Sequence, residues 1–364
     1  MRSARERAEV LGKIHVDACK VDVWSDARRY FHGPAIVQAP NGDWLVAFQD
    51  SLDHYGKDSV ITQVRSRDRG KSWSLDGVVY SELETPADGA SPNFGATGIQ
   101  ARNPAYGVTR DGKVILVVQR RDPVGGGVNS EHLVGSVYLI SLDNGRNYVY
   151  QGCVDKVRPE RHLGTSSSII NACGNLFMAA YSALGCTLYR SEDGGSNWRY
   201  CGILFSNQDL PDPDPCYPAI IHLEGSELVA QCCNGDILGG NNYQRRSQDL
   251  GETWGPVTLL GDLRITHHSC IDVLGEFLVV HGRQYLGPQG PSVVAYVSDD
   301  RGLSWFGPLE VERYGGPHAW HHGGYTVSIQ AGERKLFIVY SSNKHHPDMP
   351  DIRGTYLRLQ GFGQ

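Results

Sequence analysis

Eight residues, repeated five times, limit what this chain can fold into more than any other feature. The pattern S-x-D-x-G-x-x-W begins at Ser66, Ser141, Ser191, Ser247 and Ser298. Four copies end in tryptophan (Trp73, Trp198, Trp254, Trp305) and one in Tyr148. This is the composition of a turn that fastens itself. The aspartate accepts hydrogen bonds from backbone N–H groups of its own loop, the glycine admits positive φ, and the aromatic gives the turn an apolar foot. Recurrence of such a device marks an array of similar supersecondary units.

A second series runs out of phase with the first. Short apolar, β-branched runs are joined by glycine turns at Asn41-Gly42-Asp43, Asp111-Gly112-Lys113, Cys173-Gly174-Asn175, Glu224-Gly225-Ser226, Leu274-Gly275-Glu276 and Ala331-Gly332-Glu333. These are hairpin signals. The two series together predict an all-β chain: a six-bladed β-propeller of four-stranded antiparallel blades. In blade one the first strand is expected at Pro34–Ala39, the second at Trp44–Phe48, the third at Val60–Ser66 and the fourth after Trp73. The sixth unit lacks the eight-residue turn and ends after its third strand. The alternating segment Lys13–Trp24 is therefore expected to supply the missing outer strand and close the ring, which leaves no exposed edge. Residues 1–12 read as a tail or short helix, 13–364 as one propeller domain, and 81–98 as an inserted loop.

Composition narrows the function classes. A net charge of −6 with no basic stripe argues against nucleic acid. No apolar run approaches a membrane span. Nine cysteines, an odd number without metal spacing, read as reduced and buried. The N-terminus has no signal-peptide pattern, so a cytoplasmic location is expected, or a secreted one if a signal has been removed. No cofactor is implied, and the oligomeric state is left open.

Strand direction alternates within a blade, so connections sort onto two faces. The eight-residue turns share one face. The opposite face collects ten of the fourteen histidines, among them His32, His268, His321 and His322, together with Asp50, Asp53, Arg102 and Arg120. Histidine is not a typical loop residue, and loops of one face commonly carry the site. The pair His267-His268 and the run His318-Ala319-Trp320-His321-His322 fix no metal geometry, so no metal site is assigned. They read instead as sugar-binding donors or a general base, with Trp320 as a stacking platform or loop anchor. Of the adjacent Arg120 and Arg121, one must point away from the site.

The five turns and six units resemble the sialidase (neuraminidase) superfamily, whose Asp-boxes they match; the resemblance covers essentially the whole propeller. It implies an arginine triad, an acid/base aspartate, and a tyrosine nucleophile activated by a glutamate. Arg283 and Tyr325 stand where the third arginine and the tyrosine are expected. Asp53 or Asp50 falls in the loop expected to carry the acid. His32 stands in place of the first arginine, Cys232-Cys233 in place of the second, and Pro215-Cys216-Tyr217-Pro218 in place of the glutamate. The expected activity is a glycoside hydrolase releasing a terminal, possibly acidic, sugar. Catalysis would fall to Asp53, Asp50, Tyr325, His32 and His322. Substrate binding would fall to Arg283, Arg102, Arg120, His268, His321, Tyr217 and Trp320. Two alternatives stand beside it: a polysaccharide lyase using His, Tyr and Arg on a uronate, and a non-catalytic carbohydrate-binding propeller.

Overall fold

Six sheets follow one another around a ring in a computed structural model. The structure describes residues 3–54, 56, 58–82, 99–121, 133–158, 164, 168–182, 184–208, 210, 215–234, 240–286, 290–314, 323–346 and 348–360, with the backbone alone at 133 and 267–269. The expected insert at 81–98 lies outside these from residue 83 onward.

Blade one is β3 (Tyr30–Gln38), β4 (Trp44–Ser51), β5 (Val60–Ser66) and β6 (Ser74–Ser81), paired antiparallel in chain order. Blade two is β7 (Gln100–Val108), β8 (Val114–Arg121), β9 (Leu133–Ser141) and β10 (Val149–Cys153). Blade three is β11 (Ile170–Ala172), β12 (Asn175–Ser182), β13 (Gly185–Ser191) and β14 (Arg199–Phe205). Blade four is β15 (Pro215–His222), β16 (Leu228–Asn234), β17 (Asn242–Ser247) and β18 (Thr258–Leu259). Blade five is β19 (His267–Leu274), β20 (Phe277–Tyr285), β21 (Pro291–Ser298) and β22 (Phe306–Arg313).

The sixth blade is β23 (Thr326–Gly332), β24 (Lys335–Ser342) and β25 (Asp351–Leu359), completed from the other end of the chain. There β1 (Ile14–Val16) and β2 (Val21–Trp24) both pair antiparallel with β25, Ile14 opposite Leu359 and Val21 opposite Gly354. The closing strand thus lies within the predicted segment but comes in two pieces.

One expectation needs correcting. The inner strand of blade one starts at Tyr30, not Pro34, so His32 sits on a strand rather than in a connection. The Gly33-Pro34 step reads as a break, but it is a bulge: the register slips between His32 and Ala35 and pairing resumes on both sides. Proline has no ladder N–H to lose there, and bulges are where sheets tolerate it.

Each seam between blades is filled by its own apolar cluster. Leu45, Ala47 and Ile61 of blade one pack on Leu116, Val118 and Val137 of blade two, and equivalent sets fill the other junctions. The five repeated turns latch these seams. Inside the first, Asp68 Oδ1 accepts from the N–H groups of Lys71 and Ser72 at 3.0 and 2.9 Å, while Ser66 Oγ accepts from Gly70 N–H at 2.7 Å. The blade-four turn is held from blade three by Arg190 Nη1 donating to Glu252 Oε1 at 2.6 Å, and the other four are held from the preceding blade by hydrogen bonds to their backbone. Tyr356 Oη donates to Arg69 O at 2.6 Å, Gln63 Nε2 to Gly145 O at 2.8 Å, Tyr138 Oη to Ser196 O at 2.6 Å and Gln244 Nε2 to Gly302 O at 3.1 Å. The contact is close. A Cβ on Gly145 (φ 72°) would fall 2.4 Å from Leu45 Cδ1.

Blade six has no such turn to offer blade five. Helix α1 (Ala4–Leu11), started by a Ser3–Glu6 capping box, lies at that seam. Its Val10, with Ile14, joins the cluster of Leu274, Phe277, Leu336 and Leu359 shared by blades five and six.

The turn aspartates give the ring an acid dependence. Hydrogen bonds hold the Asp68 and Asp249 carboxyls down at about 2, against the usual aspartate value of about 3.9, and Asp143 and Asp193 are lowered too. A depressed folded-state pKa contributes stability that is complete above the unfolded value and vanishes as pH falls through the folded one. Thermal unfolding followed from pH 5 to pH 2 should therefore show Tm falling most steeply between about pH 4 and about pH 2. In Asp68→Asn/Asp249→Asn that slope should be shallower; an unchanged slope would place the acid sensitivity elsewhere.

Candidate active site at the ring axis

On the face opposite the latching turns, the inner strands bend inward at one repeated step. The register slips at His32-Gly33-Pro34-Ala35 in β3, at Arg102-Asn103-Pro104-Ala105 in β7 and at Cys216-Tyr217-Pro218-Ala219 in β15. In each, the residue before proline has positive φ: Gly33 at 55°, Asn103 at 38° and Tyr217 at 51°. Glycine adopts this conformation freely. Asparagine is among the few other residues that visit it, for a tyrosine it costs roughly 1–2 kcal/mol, and a following proline disfavours it further. The tripeptides Gly-Pro-Ala, Asn-Pro-Ala and Tyr-Pro-Ala, at matching places in three units, are the sequence signal for this kink. It went unread because the three differ at the residue that matters.

The kinks bring side chains from all parts of the ring to its axis. The His32 ring packs on Tyr325 at 3.7 Å between centroids, and Tyr325 faces Tyr217 at 6.3 Å. Tyr217 lies on blade four and Tyr325 at the start of blade six, so the pair brings together side chains from two non-adjacent blades. Tyr181 of blade three stands 5.9 Å from Tyr217, and the Arg283 guanidinium of blade five lies 5.9 Å from the Tyr325 ring centroid. Tyr181, Cys216, Tyr217, Cys233 and Tyr325 form one buried cluster. Within it the Cys216 and Cys233 sulfurs are 4.0 Å apart, opposite each other across β15 and β16.

A hydrogen-bonded chain continues through blades one to three. Tyr30 Oη meets His54 Nδ1 at 2.6 Å and Arg102 Nη2 meets His54 Nε2 at 3.0 Å. Arginine has no acceptor, so His54 Nε2 accepts and the ring is the neutral tautomer with its proton on Nδ1, donated to Tyr30. Arg102 Nε also donates to Gln49 Oε1 at 3.2 Å. Next along the rim, Asn103 Nδ2 donates to Gln119 Oε1 at 2.8 Å and to Tyr181 Oη at 3.2 Å.

Burial sets the charge states. Arg283 is 2% exposed; its Nη1 donates to Gly323 O at 3.0 Å. Desolvation opposes its charge, but the phenol oxygens of Tyr314, Tyr325, Tyr285 and Tyr217 outweigh it and its pKa lies above the ordinary arginine value. Burial, then the neighbouring Tyr325, pushes the Tyr217 phenol well above the ordinary tyrosine value, so Tyr217 is a neutral hydrogen-bonding and stacking group. His281, close to this rim by sequence, is interior. It sits between Thr326 Oγ1 and Ser328 Oγ at 2.8 Å each, and burial lowers its pKa to about 3.

Of the residues expected at the site, His32, Tyr325, Tyr217, Arg283 and Arg102 converge on the axis. Asp53 lies exposed in the loop above Gln49. Asp50 is engaged elsewhere: Arg29 Nε binds it at 2.6 Å and Thr62 Oγ1 at 2.9 Å. Arg120 points away from the axis and is paired with buried Glu82, Nε to Oε1 2.7 Å, while Arg121 lies near enough to Tyr181 to act on its phenol. The backbone of His268 is described but not its side chain. His321, His322 and Trp320 lie outside the described residues, as do Asp212, Asp214 and Asp236. Among the described residues no group of three or more His, Cys, Asp or Glu is placed to hold a metal ion. Residues at the axis that sequence reasoning did not single out are Gln49, Asn103, Gln119 and Tyr181.

No protein-family model and no curated protein matches the chain. Solved structures do. A protein of unknown function from Dyadobacter fermentans is 16% identical with a TM-score of 0.75, covering 96% of this chain and 100% of its own. The NanB sialidase K499G mutant from Streptococcus pneumoniae is 13% identical with a TM-score of 0.65, covering 91% and 68%. The Penicillium chrysogenum alpha-L-arabinanase, solved with arabinobiose, is 15% identical with a TM-score of 0.63, covering 94% and 98%. At these identities what the chain shares with them is the six-bladed β-propeller fold.

Proposed function

We propose that the axial cup binds a carbohydrate and that the protein is a glycoside-cleaving enzyme, in the first place a hydrolase releasing a terminal sugar. One observation carries this reading. Buried Arg102, Arg283, His32, Tyr217 and Tyr325 come from five blades to one point, opposite the latching turns. Gathering such groups out of water opposes folding, and perturbed polar clusters in a concavity mark functional sites. The fold it shares with a sialidase and an arabinanase adds a prior and no more.

In this reading Asp53 is the general acid that protonates the leaving oxygen. Tyr325, against His32, acts at the anomeric carbon or activates water. Arg283 and Arg102 hold an electronegative edge of the sugar, and Tyr217 offers its ring to a sugar face. Hydrolysis by the usual scheme needs a second carboxylate across the cavity.

A second reading follows from a specific observation. Asp50 is tied to Arg29, and the groups meeting on the axis are His, Tyr and Arg. That set suits proton abstraction beside an arginine-neutralised uronate, with elimination of the leaving sugar. A screen of the full chain against aryl glycosides and uronate-containing polysaccharides separates the two. A reducing sugar without new ultraviolet absorbance is the expected result. An unsaturated, ultraviolet-absorbing product would make the protein a lyase, and binding without turnover of any substrate would make it a lectin-like propeller.

A further inference from the structure

We infer that a recess between blades two and three, on the face of the latching turns, is a second binding site, for a neutral sugar residue. The inference goes beyond the axial cup, and only the class of its ligand leans on the carbohydrate reading above. The recess holds about 450 Å³, within the range of small-molecule sites. Three turns wall it: Thr109, Arg110 and Asp111 of the blade-two hairpin, Asn171 and Gly174 of the blade-three hairpin, and Asp193-Gly194 of the blade-three latch.

One position decides whether such a seam is bridged or open. In every latch the residue after the aspartate has positive φ, and in four of the five it carries a side chain: Arg69 at 58°, Asn144 at 62°, Leu250 at 56° and Arg301 at 61°. These side chains reach the preceding blade. Asn144 Oδ1 accepts from Asn41 N–H at 3.1 Å, Arg301 Nη1 donates to Glu224 Oε1 at 2.6 Å, and Leu250 packs on the cluster shared by blades three and four. Arg69 stands in a smaller recess, about 250 Å³, beside Gln330 and Ala331 of blade six. In the blade-three latch the residue is Gly194, at 67°. The space does not require glycine: a Cβ there would stand 3.7 Å from Lys113 Nζ and 3.8 Å from Asp111 Oδ1, ordinary contact distances. Nor does the backbone, since the sister turns hold other residues at nearly the same angle. The side chain that would cross the seam is missing, and the recess is what its absence leaves.

The lining selects the ligand. Buried Leu176 supplies an apolar floor. Around it stand groups of both hydrogen-bonding senses: the Arg110 guanidinium donates, the Asp111 and Asp193 carboxylates accept, and the Asn171 amide does both. Arg110 and Asn171 are exposed, and among the described residues neither side chain has a hydrogen-bond partner. Charge is balanced. Lys113 Nζ pairs with Asp111 Oδ2 at 3.0 Å, and the formal charges of Arg110 and Asp193 cancel. A carboxylate ligand would meet two carboxylates, and an ammonium would meet two cations. A neutral ring, with hydroxyls at its edge and C–H groups on its face, meets neither objection. On the face opposite the axial groups, such a site would anchor a longer saccharide without occupying the cup.

The test titrates the full chain calorimetrically with arabinobiose, a panel of neutral methyl glycosides and a uronate disaccharide. Gly194→Asn puts into this latch the residue that Asn144 supplies in blade two, so its Tm should be unchanged or raised. It should weaken a neutral sugar bound in the recess by about 10-fold or more, because the side chain takes the ligand's space. Asn171→Ala, which removes an exposed amide, should weaken the same sugar by about 3- to 10-fold. Neutral-sugar binding left intact by both substitutions would overturn the inference and leave the axial reading standing. So would a large fall in the Tm of Gly194→Asn, which would make the glycine a backbone requirement, or a uronate that the recess prefers. Binding removed by Gly194→Asn in a protein that turns over no glycoside would uphold the recess and sink the axial reading. If no neutral sugar binds wild type the inference falls, and the turnover screen then judges the cup alone.

Discussion

Replacing Tyr325 by phenylalanine should leave the propeller folded and lower kcat/KM by a factor on the order of 10² to 10⁴, the usual contribution of one positioned proton-transfer group. The substitution removes a single oxygen. The ring that packs on His32 at 3.7 Å and faces Tyr217 at 6.3 Å stays in place, so the loss would read chemistry rather than packing. Its companion is Asp53→Asn, in an exposed loop where the change should be neutral for stability. If the reaction is hydrolysis with Asp53 as acid, this variant should lose at least as much activity as the first, and less on substrates with an activated leaving group that needs no proton. If the reaction is elimination at the His–Tyr–Arg centre, Asp53→Asn should be close to wild type while Tyr325→Phe is not. Full activity in Tyr325→Phe would remove tyrosine from the chemistry and leave the cup a binding site.

Arg120→Met should be the most destabilising single substitution at this rim, by about 3–5 kcal/mol. Arg120 and Glu82 are 5% and 7% exposed, and the Tyr80 hydroxyl also donates to Glu82. Removing the guanidinium strands a carboxylate out of water, where no solvent screens it. Replacing both members, Arg120→Met/Glu82→Leu, should recover most of the loss, because the penalty comes from breaking the pair and not from lacking it. Urea midpoints of the two variants measure this. The folded double variant also bears on function: its KM should match wild type if Arg120 is structural. A stable single variant with a raised KM would return Arg120 to the substrate.

The contrast between these residues shows what could be read from the chain alone. The turns repeat because five of the six seams use the same latch, so blade number, strand order and the sorting of connections onto two faces were all legible. Tyr325, Arg283 and His32 were legible as rim residues because they fall next to recognisable strand ends. Asp50 and Arg120 lay in the right segments, but successive residues on a strand face opposite ways. Their partners, Arg29 and Glu82, come from other parts of the chain, and composition does not disclose them. Asn103, Gln119 and Tyr181 were missed for a different reason. They are uncharged, and what sets Asn103 apart is a backbone angle and its hydrogen bonds to Gln119 and Tyr181, neither of which is a property of residue type.

The junction at blade six also imposes an order in time. Among the strands of the ring, β1 and β2, which close it, come earliest in the chain, and β25, against which both pair, comes latest. Five blades can form in succession while the opening segment has no partner, and α1 has no complete seam on which to lay Val10. The ring is therefore sealed only when the final strand arrives. Until then the chain carries an unpaired, β-branched N-terminal segment that must avoid other edges. A chain stalled or cut before residue 351 would keep most of its blades and lose its closure, exposing at once the two edges the finished ring hides.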